Sequence, residues 1–261
     1  MCPSPSNRVF LSTVAAPADR SAPHLPAEPR SVINCYQVRK SFPARDPDVA
    51  VRWYLPELQV TRGETVMVTG PSGCGKTTLV NLLSGLLRPD AGSLTVEGVR
   101  VDQLSTAAAD LFRGNHLGLI FQSFQLLRPL TVLDNLLLGA RYGRRWRGAE
   151  ARERAEALLE QVGLTNRRFY RAARLSIGEQ QRVAVARALI NEPPVVLADE
   201  PTASLDARNA EAVLDLLLGL CARHGATLLV VTHNLALAPH FRRCLDASEW
   251  ISSASKEVAH V

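Results

Sequence analysis

Two periodicities in the placement of apolar residues alternate along most of the chain. Short, mostly apolar runs are separated by segments in which apolar residues recur every three or four positions, as on one face of a helix. The strand-like runs read VINCYQV, WYLPELQV, ETVMVTG, GSLTVEG, LGLIFQ, VVLADE and TLLVVTH. Because apolar strands that alternate with helices are typical of parallel sheets covered on both faces, the pattern predicts an α/β fold.

A helix-rich block over about residues 124–190 interrupts this alternation, and we predict that it is a helical subdomain inserted into the sheet domain. Its clearest helix reads AEARERAEALLEQVGL and carries one apolar stripe. The whole predicted domain spans residues 32–247. No apolar run approaches the roughly 20 residues that cross a bilayer, so a role at a membrane requires a partner.

The two ends of the chain lack these periodicities. Residues 1–31 are rich in proline, serine and alanine, a composition typical of a disordered extension. Residues 248–261 form a C-terminal tail, for which we expect a short helix. An export signal in RVFLSTVAAPA is disfavoured because its apolar stretch is short and interrupted by polar residues.

A glycine-rich loop lies between a predicted strand and a predicted helix. It fits G-x-x-x-x-G-K-[ST] at every fixed position. Glycines let successive backbone N–H groups turn toward an anion, and the following helix adds its positive N-terminal end. The loop therefore predicts a binding site for nucleotide phosphates. Its residues are Gly70, Pro71, Ser72, Gly73, Cys74, Gly75, Lys76, Thr77 and Thr78.

Charged side chains at the loop and at a later strand supply the chemistry that triphosphate cleavage needs. Lys76 can reach the outer phosphates, and the Thr77 hydroxyl can ligate Mg²⁺. Asp199 ends the strand VVLADE, where it can hold Mg²⁺ through water. Glu200 follows it and can polarise an attacking water. Consecutive residues at a strand end point apart, which suits two separate tasks.

The segment LSIGEQQRVAVARAL, just before the acidic strand, resembles the signature of the ATP-binding-cassette (ABC) family, usually written LSGGQ. Ser176 and Gly178 match its fixed positions, whereas Ile177 and Glu179 depart from it. The resemblance places Ser176, Gly178 and Glu179 at a nucleotide. It implies a P-loop NTPase fold with a RecA-like parallel sheet core, an antiparallel β subdomain and an inserted α-helical subdomain.

Three further positions follow the family order. Phe42 resembles the aromatic residue that stacks on adenine, and Gln122 resembles the glutamine that links the metal site to the helical lobe. His233 resembles the histidine that contacts the γ-phosphate. Taken singly, each has a simpler interpretation as a core, surface or strand-end residue. Their common order favours the functional interpretation.

The resemblance implies an enzyme that hydrolyses ATP to ADP and phosphate. Glu200 would act as the base, and Lys76, Gln122 and His233 as further catalytic residues. The implied cofactors are ATP and Mg²⁺. The implied metal ligands are Thr77, Gln122 and Asp199.

The resemblance also implies two kinds of partner. In the family the signature of one subunit closes over the phosphate loop of another, which implies a head-to-tail homodimer or a pair with a second cassette. The stretches FRGNHLGLIFQSFQLL and LTVLDN resemble the subgroup that serves lipoprotein release, macrolide export and glycolipid export. There the ATPase is a separate subunit, peripheral on the inner face of the cell membrane, and drives an integral-membrane permease. Five scattered cysteines without a C-x-x-C pair fit a cytoplasmic location.

The alternative function is that of a soluble cassette ATPase acting on nucleic acid or ribosomes. Such proteins bring a long coiled coil or two cassettes, neither of which the sequence shows, so no nucleic-acid partner is expected. A GTPase is disfavoured because the chain has no N-K-x-D motif. The segment RYGRRWRG (Arg141–Gly148) has three interpretations: a solvated corner, which is favoured, a contact with the membrane partner or anionic lipid, and a nucleic-acid contact.

Overall fold

The computed structural model of the protein describes residues 31–43, 49–143 and 145–255. Its strands are β1 (Ser31–Pro43), β2 (Val49–Thr61), β3 (Thr65–Thr69), β4 (Ala91–Val96), β5 (Val99–Arg100), β6 (Leu117–Ile120), β7 (Val195–Asp199), β8 (Thr227–Val231), β9 (Arg243–Asp246) and β10 (Ile251–Ser255). Its α-helices are α1 (Lys76–Leu83), α2 (Thr106–His116), α3 (Val132–Tyr142), α4 (Gly148–Gln161), α5 (Ile177–Leu189) and α6 (Ala207–His224). Short 3₁₀ helices cover Val101–Gln103, Thr165–Arg167, Ala172–Arg174 and Leu235–His240. The expected disordered extension lies outside the described residues, except for Ser31.

The predicted parallel sheet is present, with the strand order β6-β7-β8-β3-β9. Alternate residues of its central strands enter two different hydrophobic cores. In β7, Val196 and Ala198 pack with the helical block, whereas Val195 and Leu197 pack with α1 and the second sheet. This alternation explains why the strand reads as a continuous apolar run, because both of its faces are buried. The predicted α/β fold class is confirmed.

The second sheet is antiparallel, with the order β10-β2-β1-β4-β5. Strands β1 and β2 form a long antiparallel pair, in which Val38 lies opposite Leu55. Pro56 lies inside β2. Strand β10 pairs with β2 only as far as Trp53, so the edge of β2 at Pro56 is not paired with β10. A proline has no N–H to donate, so this open stretch of the strand tolerates it. The antiparallel β subdomain implied by the family resemblance is therefore part of the fold.

The helical block consists of α3, α4 and α5, which share one buried cluster. On α4 the predicted apolar stripe is buried, including Ala155, Leu158 and Leu159. The fully buried Asn135 of α3 bonds to both backbone groups of Leu127, and so fixes the segment that leads from β6 into the block. The block therefore packs as a separate layer of helices beside the parallel sheet.

The expected helix in the C-terminal tail is wrong. Residues Ile251–Ser255 form strand β10, which adds an antiparallel edge to β2. The backbone N–H of Tyr54 donates to the carbonyl of Trp250 at 2.7 Å, so the free edge of β2 directs the tail into an extended conformation. Across the described ranges, every helix is too short or too polar to cross a bilayer.

Candidate active site

The glycine-rich loop, residues 70–75, leaves the carboxyl end of β3 and turns into α1. Gly75 caps α1 with a left-handed backbone, at φ 94°. A methyl group at Gly75 would overlap the indole ring of Trp53, and one at Gly70 would lie 2.8 Å from the Sγ atom of Cys74. Glycine is therefore needed here both for backbone conformation and for space.

Lys76 lies across this loop rather than in solvent. Its side chain is buried, with the residue 7% exposed. Its Nζ atom donates hydrogen bonds to the carbonyls of Gly70 at 2.7 Å and Pro71 at 2.9 Å. A positive charge is thus held at the turn of the loop, where backbone N–H groups and the N-terminus of α1 also favour an anion.

Asp199 is a buried carboxylate with an unused oxygen. It ends β7, two strands away from β3, and accepts a hydrogen bond from the side chain of Thr77. Its Oδ1 atom is buried and has no hydrogen-bond partner among the described residues. Burial raises the pKa of Asp199, as does the nearby Glu200 charge, while the Thr77 hydrogen bond and the Lys76 charge oppose the shift. An uncompensated carboxylate oxygen beside a hydroxyl has the donor chemistry of a hard cation site.

Glu200 is held by residues that follow β8. Its backbone is left-handed, at φ 48°, and its N–H donates to Val231 at 2.9 Å. One carboxylate oxygen accepts the Thr232 hydroxyl at 2.9 Å. The other accepts the backbone N–H of His233 at 3.0 Å and lies 2.8 Å from its Nδ1 atom. The chain thus brings Glu200 and His233 together and fixes the direction of the carboxylate.

A cleft of about 430 Å³ connects most of the predicted site residues. Its lining residues are Phe42, Val51, Ser72, Gly73, Gly75, Lys76, Thr77, Thr78, Gln122, Glu200 and Ile251. Asp199 and His233 adjoin it through Thr77 and Glu200. Gly70, Pro71 and Cys74 shape the loop behind it. Sequence reasoning missed Val51 and Ile251, since neither residue belongs to a motif.

The signature residues lie apart from that cleft. Ser176, Gly178 and Glu179 line a second depression of about 490 Å³, together with Asp206, the N-cap residue of α6. Among the described residues, no residue lines both clefts. The structure therefore does not bring the signature of the chain to its own phosphate loop.

Glu179 has a structural role that explains an acid at the fifth signature position. Ser176 caps α5, accepting the backbone N–H of Glu179 at 3.3 Å, and Glu179 accepts the backbone N–H of Ser176 at 2.8 Å. This reciprocal capping box leaves the helix N-terminus ordered. The hydrogen bonds from Ser176, followed by the Arg167 cation 3.1 Å away, hold the pKa of Glu179 below its usual range.

Comparison with known proteins agrees with this geometry. The family model described as ABC transporter matches residues 56–203. The chain is 41% identical over 221 residues to YbbA of Escherichia coli, an uncharacterized ABC transporter ATP-binding protein, covering 85% of this chain and 95% of the relative. It is 40% identical over 220 residues to the lipoprotein-releasing system ATP-binding protein LolD of Pseudomonas fluorescens, covering 84% and 96%.

A solved structure extends the match to three dimensions. The dimeric bacterial ABC transporter cassette MJ0796 superposes with a TM-score of 0.72 at 32% identity, covering 86% of this chain and 99% of that chain. The same cassette is also known as a dimer in a post-hydrolysis state bound to ADP and phosphate. These matches are to transporter cassettes and do not favour the nucleic-acid alternative. The chain belongs to the ABC transporter family, and it is an ATP-binding, ATP-hydrolysing subunit of such a transporter.

Proposed function

We propose that the cleft at the glycine-rich loop binds ATP with Mg²⁺, held by Thr77, Asp199 and Gln122. The observation that supports the metal is that Asp199, which interacts with Thr77, has a buried Oδ1 atom without a hydrogen-bond partner in the described part of the chain. When bound, Mg²⁺ neutralises charge on the phosphates. Lys76 exchanges its loop carbonyls for phosphate oxygens, and Phe42 stacks on the adenine.

Glu200 is the base in this proposal. Its carboxylate lines the cleft, and the Thr232 hydroxyl and the His233 N–H fix it so that one oxygen can accept a proton from an attacking water. His233 is 59% exposed at its side chain, so its ring is free to contact the terminal phosphate. A residue held in one direction before substrate arrives loses little entropy on reaction.

We propose further that two copies pair head to tail, each placing its signature helix over the cleft of the other. The observation that carries this step is that the signature and the phosphate loop line separate clefts of one chain. The N-terminus of α5, capped by Ser176, then presents N–H groups and its dipole to the phosphates of the partner copy. The dimers of the relative MJ0796 support this arrangement.

The Glu200→Gln variant tests both the base and the dimer. Glutamine keeps the shape of the side chain but removes its basicity, so hydrolysis falls by about 10²–10⁴-fold while ATP and Mg²⁺ remain bound. Light scattering after gel filtration should then detect an ATP-dependent dimer that is absent without ATP. A Glu200→Gln protein that stays monomeric at saturating ATP contradicts the paired site.

The membrane partner is proposed to dock in a groove of about 450 Å³ where helices α2, α3 and α5 meet strand β6 of the parallel sheet. The groove is lined by residues of α2, β6, α3 and α5, including Leu138 and Tyr142. Gln125 lines it too, and Arg187 holds the carbonyls of Phe124 and Gln125 at 2.7 and 2.6 Å. Since this loop continues from Gln122 in the ATP cleft, a helix seated in the groove can sense the occupied site.

We propose from this docking that the subunit is peripheral on the inner face of the cell membrane, and the similarity to LolD supports release or export of a lipid-linked substrate. The test is co-purification with a detergent-solubilised permease encoded beside it. Tyr142→Ala, which removes an exposed groove residue, should reduce recovery of the permease. Tyr36→Ala, which removes another exposed tyrosine but on the antiparallel sheet, is the matched control and should leave recovery unchanged. Recovery of nucleic acid or ribosomes instead of a permease contradicts a transport role.

A further inference from the structure

The last described strand of the chain brings a side chain into the ATP cleft. Ile251 opens β10 and pairs with Trp53 of β2. It lines the cleft beside Phe42 and Val51, and its Cδ1 atom lies 3.4 Å from the position that a methyl group on Gly75 would occupy. A residue far from every sequence motif therefore sits against the phosphate loop.

Two tryptophans hold Ile251 in this place. Trp53 is 1% exposed and packs its indole directly against Gly75. Trp250 meets Trp53 edge to face, with the ring centroids 5.8 Å apart and the planes at 84°. Such an edge-to-face pair adds directional stability to the burial of both rings. The hydrogen bond from Tyr54 to the carbonyl of Trp250 fixes the backbone one residue before Ile251.

The cleft is lined by both polar and apolar side chains. Lys76 and Thr77 are polar lining residues, whereas Phe42, Val51 and Ile251 supply apolar side chains. The phosphates of ATP match the polar side chains, which leaves the apolar ones to contact the base and the ribose. Ile251 is partly buried, so it has apolar surface left to cover a ligand.

We propose that Ile251 is a nucleotide-binding residue that packs on the base–ribose half of ATP, with Trp250 as the residue that positions it. The C-terminal tail is then part of the ATP site. This inference rests on the nucleotide binding proposed above, and it adds a contact that no motif of the sequence supplies.

The experiment compares two ligands by calorimetry on the full chain: ATP, and inorganic tripolyphosphate, which lacks the base and ribose. Ile251→Ala should raise the Kd for ATP about tenfold, because three buried carbons are lost, and should leave the Kd for tripolyphosphate unchanged. Leu86→Ala is the matched control, since Leu86 is an exposed aliphatic residue that follows α1 and lies outside the cleft. It should change neither value.

Trp250 supplies the second arm. Trp250→Ala should, like Ile251→Ala, raise the Kd for ATP and leave the Kd for tripolyphosphate unchanged. Trp250→Phe, which keeps a ring against Trp53, should restore ATP binding. Thermal unfolding without nucleotide verifies that each variant is folded. An unchanged Kd for ATP in Ile251→Ala, or an equal loss for both ligands, overturns the inference while the proposed ATPase stands. A wild-type chain that binds neither ligand overturns both.

Discussion

The phosphate-loop cleft and the signature face both lie at the start of a helix and are both proposed to contact phosphate, but they are built in opposite ways. In the cleft, Lys76 and Asp199 are each 7% exposed, and Asp199 keeps an oxygen without a partner among the described residues. On the signature face, Ile177 is 52% exposed, and Ser176 and Glu179 satisfy each other. In the cleft, a charged oxygen still needs a bonding partner that a ligand can supply. On the signature face, the capping groups already bond to each other, and the proposed partner copy would supply an opposing surface.

The largest effect expected from this contrast is that of Lys76→Ala. It removes the buried cation and leaves the carbonyls of Gly70 and Pro71 without their donor, so we expect ATP affinity to fall by at least about 100-fold. Calorimetry measures the loss. Arg62→Ala removes a half-exposed cation that pairs with Glu97 outside the cleft, and should leave the affinity within about twofold. If the Lys76→Ala protein binds ATP with normal affinity, the cleft is not the ATP site, and the contrast with the signature face fails.

The signature face should respond differently, because its substitutions matter only in the dimer. At Gly178 an added side chain first meets Arg182, 3.9 Å away, so Gly178→Asp leaves the single chain intact. Its carboxylate would face the phosphates of the partner copy, and hydrolysis should fall by about 10–100-fold while ATP binding to the monomer is unchanged. Gly219→Asp, on α6 with open space around it, is the matched control and should hydrolyse normally. Equal loss of binding and hydrolysis in Gly178→Asp would show that the two faces are not separable.

A smaller effect, of pH on ATP affinity, is expected in the cleft. The pKa of Asp199 is raised by burial, and Mg²⁺ binding requires the ionised carboxylate. The gain in ATP affinity that Mg²⁺ provides should therefore shrink as pH falls through that pKa, by at most about tenfold per pH unit. Titrations of ATP with and without Mg²⁺ over a pH series measure it. Asp199→Asn should show little Mg²⁺ gain at any pH, and the same pH slope in this variant would assign the effect to another group.

The stability of the free protein should change in the opposite direction. The folded chain holds the Asp199 proton more tightly than the unfolded chain does, because the folded pKa is the raised one. As pH falls toward and through that raised pKa, the contribution of Asp199 to the free energy of unfolding therefore increases, until the unfolded chain is protonated as well. The difference in pH dependence between wild type and Asp199→Asn, measured by denaturant unfolding, isolates this contribution.

The smallest effect is expected at Glu179. Glutamine can also close a capping box, so Glu179→Gln should keep hydrolysis within about twofold, whereas Glu179→Ala should lower the free energy of unfolding by about 1 kcal/mol. The lowered pKa of Glu179 means that its ionic stabilisation is present at neutral pH and lost as pH falls through that value. Denaturant unfolding at neutral and acidic pH checks both statements. A large loss of hydrolysis in Glu179→Gln would mean that the charge itself acts at the partner's nucleotide.

Sequence reasoning predicted the elements whose burial produces a strong pattern. The runs at β1, β2, β3, β4, β6, β7 and β8 were all identified, because their apolar residues face one core or two. Strand β9 was missed, since it alternates half-buried and exposed residues at the edge of its sheet and carries charge. Helix α2 was missed as well, because its buried residues are limited to Ala109 and Phe112.

The site follows the same rule. Residues that belong to spaced motifs, such as Lys76 and Glu200, were identified, and the structure brings them into or beside one cleft. Val51 and Ile251 could not be found, because their place depends on the pairing of β10 with β2, which joins segments far apart in the chain. A sequence motif predicts the structure of neighbouring residues, whereas the contact between β10 and β2 joins residues about 200 positions apart. The boundaries expected for the domain and the roles assigned to individual site residues stay predictions.

The strand that carries the phosphate loop has consequences for synthesis of the protein. Strand β3 pairs with β8 on one side and β9 on the other, and both are made long after it. A nascent chain that ends before Thr227 leaves β3 with neither neighbour, so the loop has no fixed support while most of the polypeptide is already translated. Contacts of such sequence separation form slowly. We therefore expect the phosphate loop to gain its support, and with it the ability to bind ATP, only after β8 and β9 have been made, late in translation.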